Sequence, residues 1–131
     1  MSQIEMHLLD EAGDNFSDLL KLSQHEVVGT LRMFTGQQGE HWVGIVPNLN
    51  VTGYGENETD AVQALKENLD TFFDDLFKLS ESERQKVMEN IGWHNEKAFP
   101  KKFSNPSFDE LKVLQSFDHP EQVKKLVLQT A

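Results

Sequence analysis

The stretch from His41 to Asp70, "HWVGIVPNLNVTGYGENETDAVQALKENLD", decides the fold. It opens with two short runs suited to strands and continues as an uninterrupted amphipathic helix. "HWVGIV" (41–46) reads as a strand that must end or bend at Pro47, because proline has no N–H to give to a ladder. The turn "PNLN" leads into a further strand, "VTGYG" (51–55). Asn57 then offers a side-chain acceptor to the free N–H groups of a first helical turn, and Glu58 and Asp60 place negative charge at the positive end of the helix dipole. Val62, Leu65, Leu69, Phe72, Phe73 and Leu76 recur at three- and four-residue steps, while Asp60, Gln63, Glu67, Asp70, Asp74 and Asp75 take the other positions. One face of this helix is core and another is wet.

Working outward, "EVVGTLRMFTG" (26–36) is rich in β-branched and large apolar residues, with Val27, Leu31 and Met33 on one parity and Arg32 on the other. It predicts a strand antiparallel to 41–46, joined to it by "TGQQGE" (35–40), whose two glycines suit a hairpin loop of more than two residues. Residues 26–55 therefore read as a three-stranded meander under the helix. Upstream, "IEMHLL" (4–9) suits a strand, and "DNFSDLLKLSQ" (14–24) predicts a short helix from the spacing of Phe16, Leu19 and Leu20 behind polar starters. Downstream, Ser80 and Glu83 have the spacing of a capping box and Gly92 stands where a helix would stop, so 80–92 reads as a second helix with Trp93 folding back over its last turn. Residues 95–107, with Pro100 and Pro106, read as an irregular connector holding a short strand near Phe99–Phe103. The Ser107/Glu110 box and Pro120 predict two short C-terminal helices.

At 131 residues the chain has the length of one compact domain. It divides into an N-terminal extension (1–25), the meander and helix (26–79), a second helix (80–94), and a connector with C-terminal helices (95–131). With no cysteine, disulfides, thiolate metal sites and a cysteine nucleophile are excluded. No apolar run is long enough to span a bilayer and the N-terminus lacks the pattern of a signal peptide, so a cytoplasmic location is expected. The net charge of −10 argues against free nucleic acid as the main ligand, since phosphate binding draws on Lys and Arg. The acidity is concentrated in residues 1–94, which hold 17 acids against 6 bases. Such a surface either steers a basic protein or keeps the chain soluble.

No catalytic constellation emerges. His7, His25, His41, His94 and His119 show no ligand spacing, no serine sits in a Gly-x-Ser-x-Gly context, and the acids beside "GYGEN" would repel phosphate. No metal, no cofactor and no enzymatic activity are expected. An enzyme assembled from distant residues, such as His94 with Glu96, and a nucleic-acid regulator using the lysine-bearing tail are the alternatives. The large rings Trp42, Tyr54, Trp93, Phe99, Phe103, Phe108 and Phe117 are more than a small helix-on-sheet core requires, so Trp42 or Tyr54 on an outer sheet face is a candidate contact.

"WVGIVPNL" joined to "GENETDAVQAL" resembles the HicB-like family, the antitoxins of HicA–HicB toxin–antitoxin systems and their stand-alone relatives. Trp42 and Gly44 stand at the family's aromatic and small positions, Pro47, Asn48 and Leu49 follow, and Gly55, Glu56 and Asn57 fall where Gly-Asp-Thr precedes the helix, which opens with Ala61 and Val62. Asn50 replaces the usual Pro-Gly. The resemblance covers 26–79 and implies an α+β fold: a three- to four-stranded antiparallel sheet packed on one long helix, similar to a truncated ribonuclease H scaffold, here with additional terminal helices. It also implies a non-catalytic module that docks to a partner protein, in the antitoxin case a small basic toxin, with homodimerisation a further possibility of the same surface. Trp42, Tyr54, Glu67, Asp70, Asp74 and Asp75 are the expected partner-binding residues. The C-terminal 95–131 holds six Lys, no Arg and no recognition helix, which argues against operator binding.

Overall fold

The structure is a computed structural model and describes residues 6–11, 18–23, 26–96, 99–104 and 108–130. It is an α+β fold in which every strand pairing is antiparallel. Strands β1 (Met6–Glu11), β2 (Leu19–Ser23), β3 (Glu26–Gln38), β4 (His41–Val46) and β5 (Val51–Gly55) precede helices α1 (Glu58–Phe77) and α2 (Glu81–Asn90). Strands β6 (His94–Glu96) and β7 (Phe99–Ser104), helix α3 (Glu110–Gln115) and strand β8 (Lys124–Thr130) complete the chain. The sheet runs β1-β8-β3-β2-β7-β6, and β4 joins it through β3 and carries β5.

The meander under α1 forms as its sequence predicts. Pro47 ends β4 in a 3-10 turn, Pro47–Leu49, and Asn50 takes the left-handed conformation that lets β5 start back. Asn57 caps α1 by accepting the Asp60 N–H at 2.8 Å. The helix buries Leu65, Leu69, Phe73 and Leu76 against the sheet. Each such side chain is worth about 1.5–3 kcal/mol relative to exposure, against about 1 kcal/mol for the cap, so the apolar stripe dominates helix docking. The approach is close because Gly53 of β5 has no side chain: a Cβ there would overlap the Leu65 backbone.

Four expectations are corrected. The sheet is eight-stranded rather than three- to four-stranded, because both termini join it. Residues 19–23, read as part of a helix over 14–24, form β2; alternate residues Leu20 and Leu22 are buried while Leu19 and Lys21 are exposed, which is strand periodicity. Residues 14–17 and 24 of that segment lie outside the described residues. The β3–β4 loop is tight: Gln38 pairs with His41, so only Gly39 and Glu40 turn the chain, with Gly39 at φ 59°. Gly36 lies within β3 opposite Val43 rather than in the loop. The segment read as the last helix is a single 3-10 turn, Pro120–Gln122, followed by β8, which pairs with β3 on one side and β1 on the other. Its run Lys124–Thr130 buries Val127 and Leu128 on opposite faces, as a central strand does. The connector holds the strand expected near Phe99–Phe103, as β7, which pairs with β6.

The sheet carries apolar layers on both faces. Odd residues of β3 (Val27, Leu31, Met33) join α1, Met88 of α2 and Trp93 in the larger core. On the other face Phe34, Val43 and Phe117 form a smaller core covered by Phe108 and by Val113 and Leu114 of α3. Of the rings singled out above, Trp93, Phe103 and Phe117 are buried and Phe108 is half-buried over the smaller core. The chain after α3 is held across the β3–β4 hairpin: the Gly39 N–H donates to Asp118 Oδ2 at 2.7 Å, and the Asp118 N–H to the Gln37 carbonyl at 2.9 Å.

Candidate functional site

Two polar features stand out, one on the surface and one inside. On α1, successive residues turn by about 100°, so Glu67, Asp70 and Asp74 fall within about 60° of one another, facing away from Leu65, Leu69 and Phe73. Glu67 is exposed, and Asp70 and Asp74 are half-buried. The Oδ2 atom of Asp74 is buried and has no hydrogen-bond partner among the described residues. Asp75 lies about 100° off the stripe and pairs with Lys78 at 3.4 Å, both side chains well exposed. An ion pair so wet contributes little.

The two expected aromatic contacts separate. Trp42 pairs with Gly55 and Tyr54 with Val43, so adjacent positions on β4 place the two rings on opposite faces. Gly55 abuts Asp60 and Ala61, which puts the half-buried Trp42 on the α1 side near the start of that helix. Tyr54 points the other way and is 59% exposed. The structure therefore places Trp42 beside the start of α1, on the sheet face that the helix covers, and Tyr54 on the other face.

The interior feature is a fork in the sheet. β2 pairs with Glu26–Thr30 of β3 and β4 pairs with Phe34–Gln38 of the same edge, so Leu31 to Met33 face no strand there. The side chain of Asp18, fully buried, fills the gap. Its Oδ1 accepts from the Arg32 main-chain N–H at 3.1 Å and from Arg32 Nε at 2.8 Å, and its Oδ2 accepts from Asn48 Nδ2 at 2.6 Å. Asn48 is buried in the turn after β4, and its main-chain carbonyl accepts the Trp93 indole N–H at 2.9 Å. On the other face the Arg32 guanidinium lies 4.4 Å from the centroid of Phe108. The polar chain thus passes through the sheet from the smaller core to the larger. Burial pushes the Asp18 carboxyl above the usual aspartate range, and the hydrogen bonds from Arg32 and Asn48 and the Arg32 charge pull it part of the way back.

Sequence reading missed Asp18, Arg32 and Asn48 as a set. Asp18 sits in a segment whose apolar spacing fits a helix, and nothing local shows that one strand edge is shared by two others. Among the described residues no group of three or more His, Asp or Glu side chains is placed to hold a metal ion. No helix among them is long and apolar enough to cross a membrane. Comparison with known protein families, curated proteins and solved structures finds no match to the chain.

Proposed function

We propose that the chain is a non-catalytic, HicB-like protein-binding module that docks a small basic protein through the outer face of α1. The observation that carries this reading is the acidic stripe Glu67, Asp70 and Asp74 on the outer face of α1. A rigid helix fixed by its apolar side holds those charges in place, so a partner's Lys or Arg meets a preorganised acceptor. The net charge of −10 adds long-range steering of a basic partner.

The HicB-like part of the proposal draws on the order of elements within 26–79: a hairpin, the Pro47-Asn48-Leu49 turn, a strand, Gly55-Glu56-Asn57, and a long helix on the sheet. A small basic toxin of the HicA class is the partner this likeness points to. The half-buried Trp42, beside the start of α1, is the aromatic anchor of the proposed surface. Co-expression with such a toxin tests the proposal. Recovery of a complex that dissociates as salt is raised supports it, and the absence of any complex with wild-type protein overturns the toxin-specific form.

A further inference from the structure

We infer that the two ends of the chain form one detachable leaf: β1 and β8 leave the sheet together while the meander and α1 stay folded, and their departure bares the edge of β3 from Gly29 to Thr35. Topology is the first reason. Met6 lies opposite Thr130, so one ladder joins the first described residues to the last. Among the described residues β1 stands at the margin of the sheet and pairs with β8 alone, whereas β8 also pairs with β3, from Lys124 opposite Thr35 to Thr130 opposite Gly29. Whenever β8 leaves, β1 loses its whole ladder.

The attachments of the leaf are also separable from those of α1. β8 brings Leu128 into the larger core with Leu126 beside it, and buries Val127 on the other face. Its two lysines tie it to a helix on each face: Lys124 meets Glu58 in the first turn of α1 at 3.0 Å, and Lys125 meets Glu110 of α3 at 2.7 Å. Both pairs are partly solvated, and pairs of that kind contribute little. The helix α1, by contrast, rests on β5 and β4, where Leu65 lies against Gly53 and Gly44. Leu69 and Phe73 extend the same layer toward Met88 and Trp93, none of which belongs to the leaf. Opening the leaf therefore breaks one ladder with β3 and exposes a few side chains, while most of the larger core remains. Openings that follow such a supersecondary unit need less free energy than global unfolding.

Native-state hydrogen exchange of the full chain, followed amide by amide across sub-denaturing urea, tests this. The expected result is one opening shared by the amides of β1 and β8, at lower free energy than the opening that exposes α1, β4 and β5. Leu65→Ala weakens the α1 packing equally with the leaf closed or open. It should speed exchange in α1, β4 and β5 by about thirtyfold or more and leave β1 and β8 unchanged. Leu128→Ala should speed β1 and β8 by the same factor as each other. Exchange of β1 and β8 only through the global opening overturns the leaf, as do β1 amides that exchange independently of β8 and ignore Leu128→Ala. Should a variant not fold, the wild-type urea dependence decides alone, since separate openings for β1 and β8, or a single opening shared with α1, contradict the inference.

Discussion

Asp18 stands in for a missing strand opposite Arg32: one carboxylate oxygen takes both the main-chain N–H and the Nε–H of that residue, at 3.1 and 2.8 Å. Removing it therefore takes the acceptor from the Arg32 main-chain N–H and the carboxylate partner from a largely buried guanidinium. Asp18→Ala is expected to cost about 3–5 kcal/mol, the range for breaking one side of a buried ion pair. The double variant Asp18→Leu with Arg32→Leu removes the uncompensated charge and should recover part of that loss. It should not recover the roughly 1–3 kcal/mol of the unsatisfied Arg32 N–H. Urea denaturation of the two variants measures both quantities, and a double variant no more stable than Asp18→Ala would show that the guanidinium is satisfied by other groups.

The same carboxyl gives a pH dependence with a definite sign. Its value in the folded protein is raised above the unfolded one, so its contribution to stability is fully present below the unfolded value and is lost as pH rises through the folded value. The difference in melting temperature, wild type minus Asp18→Asn, should therefore become more favourable to wild type as pH falls from neutral toward about 3.9, the ordinary aspartate value. Using the difference cancels the other carboxylates. Thermal melts across that window check the sign, and a difference that moves toward the variant on acidification would mean that Arg32 outweighs burial.

Packing of α1 on β5 depends on Gly53. A Cβ at that position overlaps the backbone of Leu65, which cannot move as a side-chain end can. Gly53→Ala should destabilise the fold by about 1–3 kcal/mol, as overpacking does, and Gly53→Val by more. Chemical denaturation checks the order of the two. As a control, Gly39→Asn at the hairpin turn, where no atom lies within 4 Å of an added Cβ and φ is 59°, should be much milder.

How legible these features are in the sequence depends on how local their causes are. Asn57, the Ser80–Glu83 capping box and the apolar stripe of α1 are signals carried within a few residues, and the structure has each of them: Glu83 N–H donates to Ser80 Oγ at 3.2 Å, for example. β8 is illegible for the opposite reason. Pro120 and the run after it fit a helix start locally, but β3 and β1 offer open edges on either side, and pairing with both overrides the local signal. β2 fails similarly, since Leu19, Leu20 and Leu22 satisfy either period until Leu20 and Leu22 are seen buried together. For the candidate site, the helical spacing of Glu67, Asp70 and Asp74 shows their shared face, and the separation of Trp42 from Tyr54 follows once the β4–β5 register is known. The Asp18 fork needs three segments far apart in sequence and has no local signature.

Because Trp42 and Tyr54 face opposite ways, their substitutions should part company. Trp42→Ala is expected to weaken capture of a basic partner by tenfold or more, that is by about 1.4 kcal/mol, while Tyr54→Ala leaves it within about twofold. Binding measured by fluorescence anisotropy of a labelled partner separates the two, and a larger loss for Tyr54→Ala would move the docking surface to the other face of the sheet.

The central claim is that the acidic outer face of α1, carrying Glu67, Asp70 and Asp74, docks a basic protein. Calorimetric titration of the full chain with a small basic toxin of the HicA class, run for wild type and for Asp74→Lys at two salt concentrations, tests it most directly. The account predicts a one-to-one isotherm for wild type that weakens with salt, and affinity at least about tenfold lower for Asp74→Lys. Equal affinities for the two proteins, or wild-type binding indifferent to salt, would contradict it.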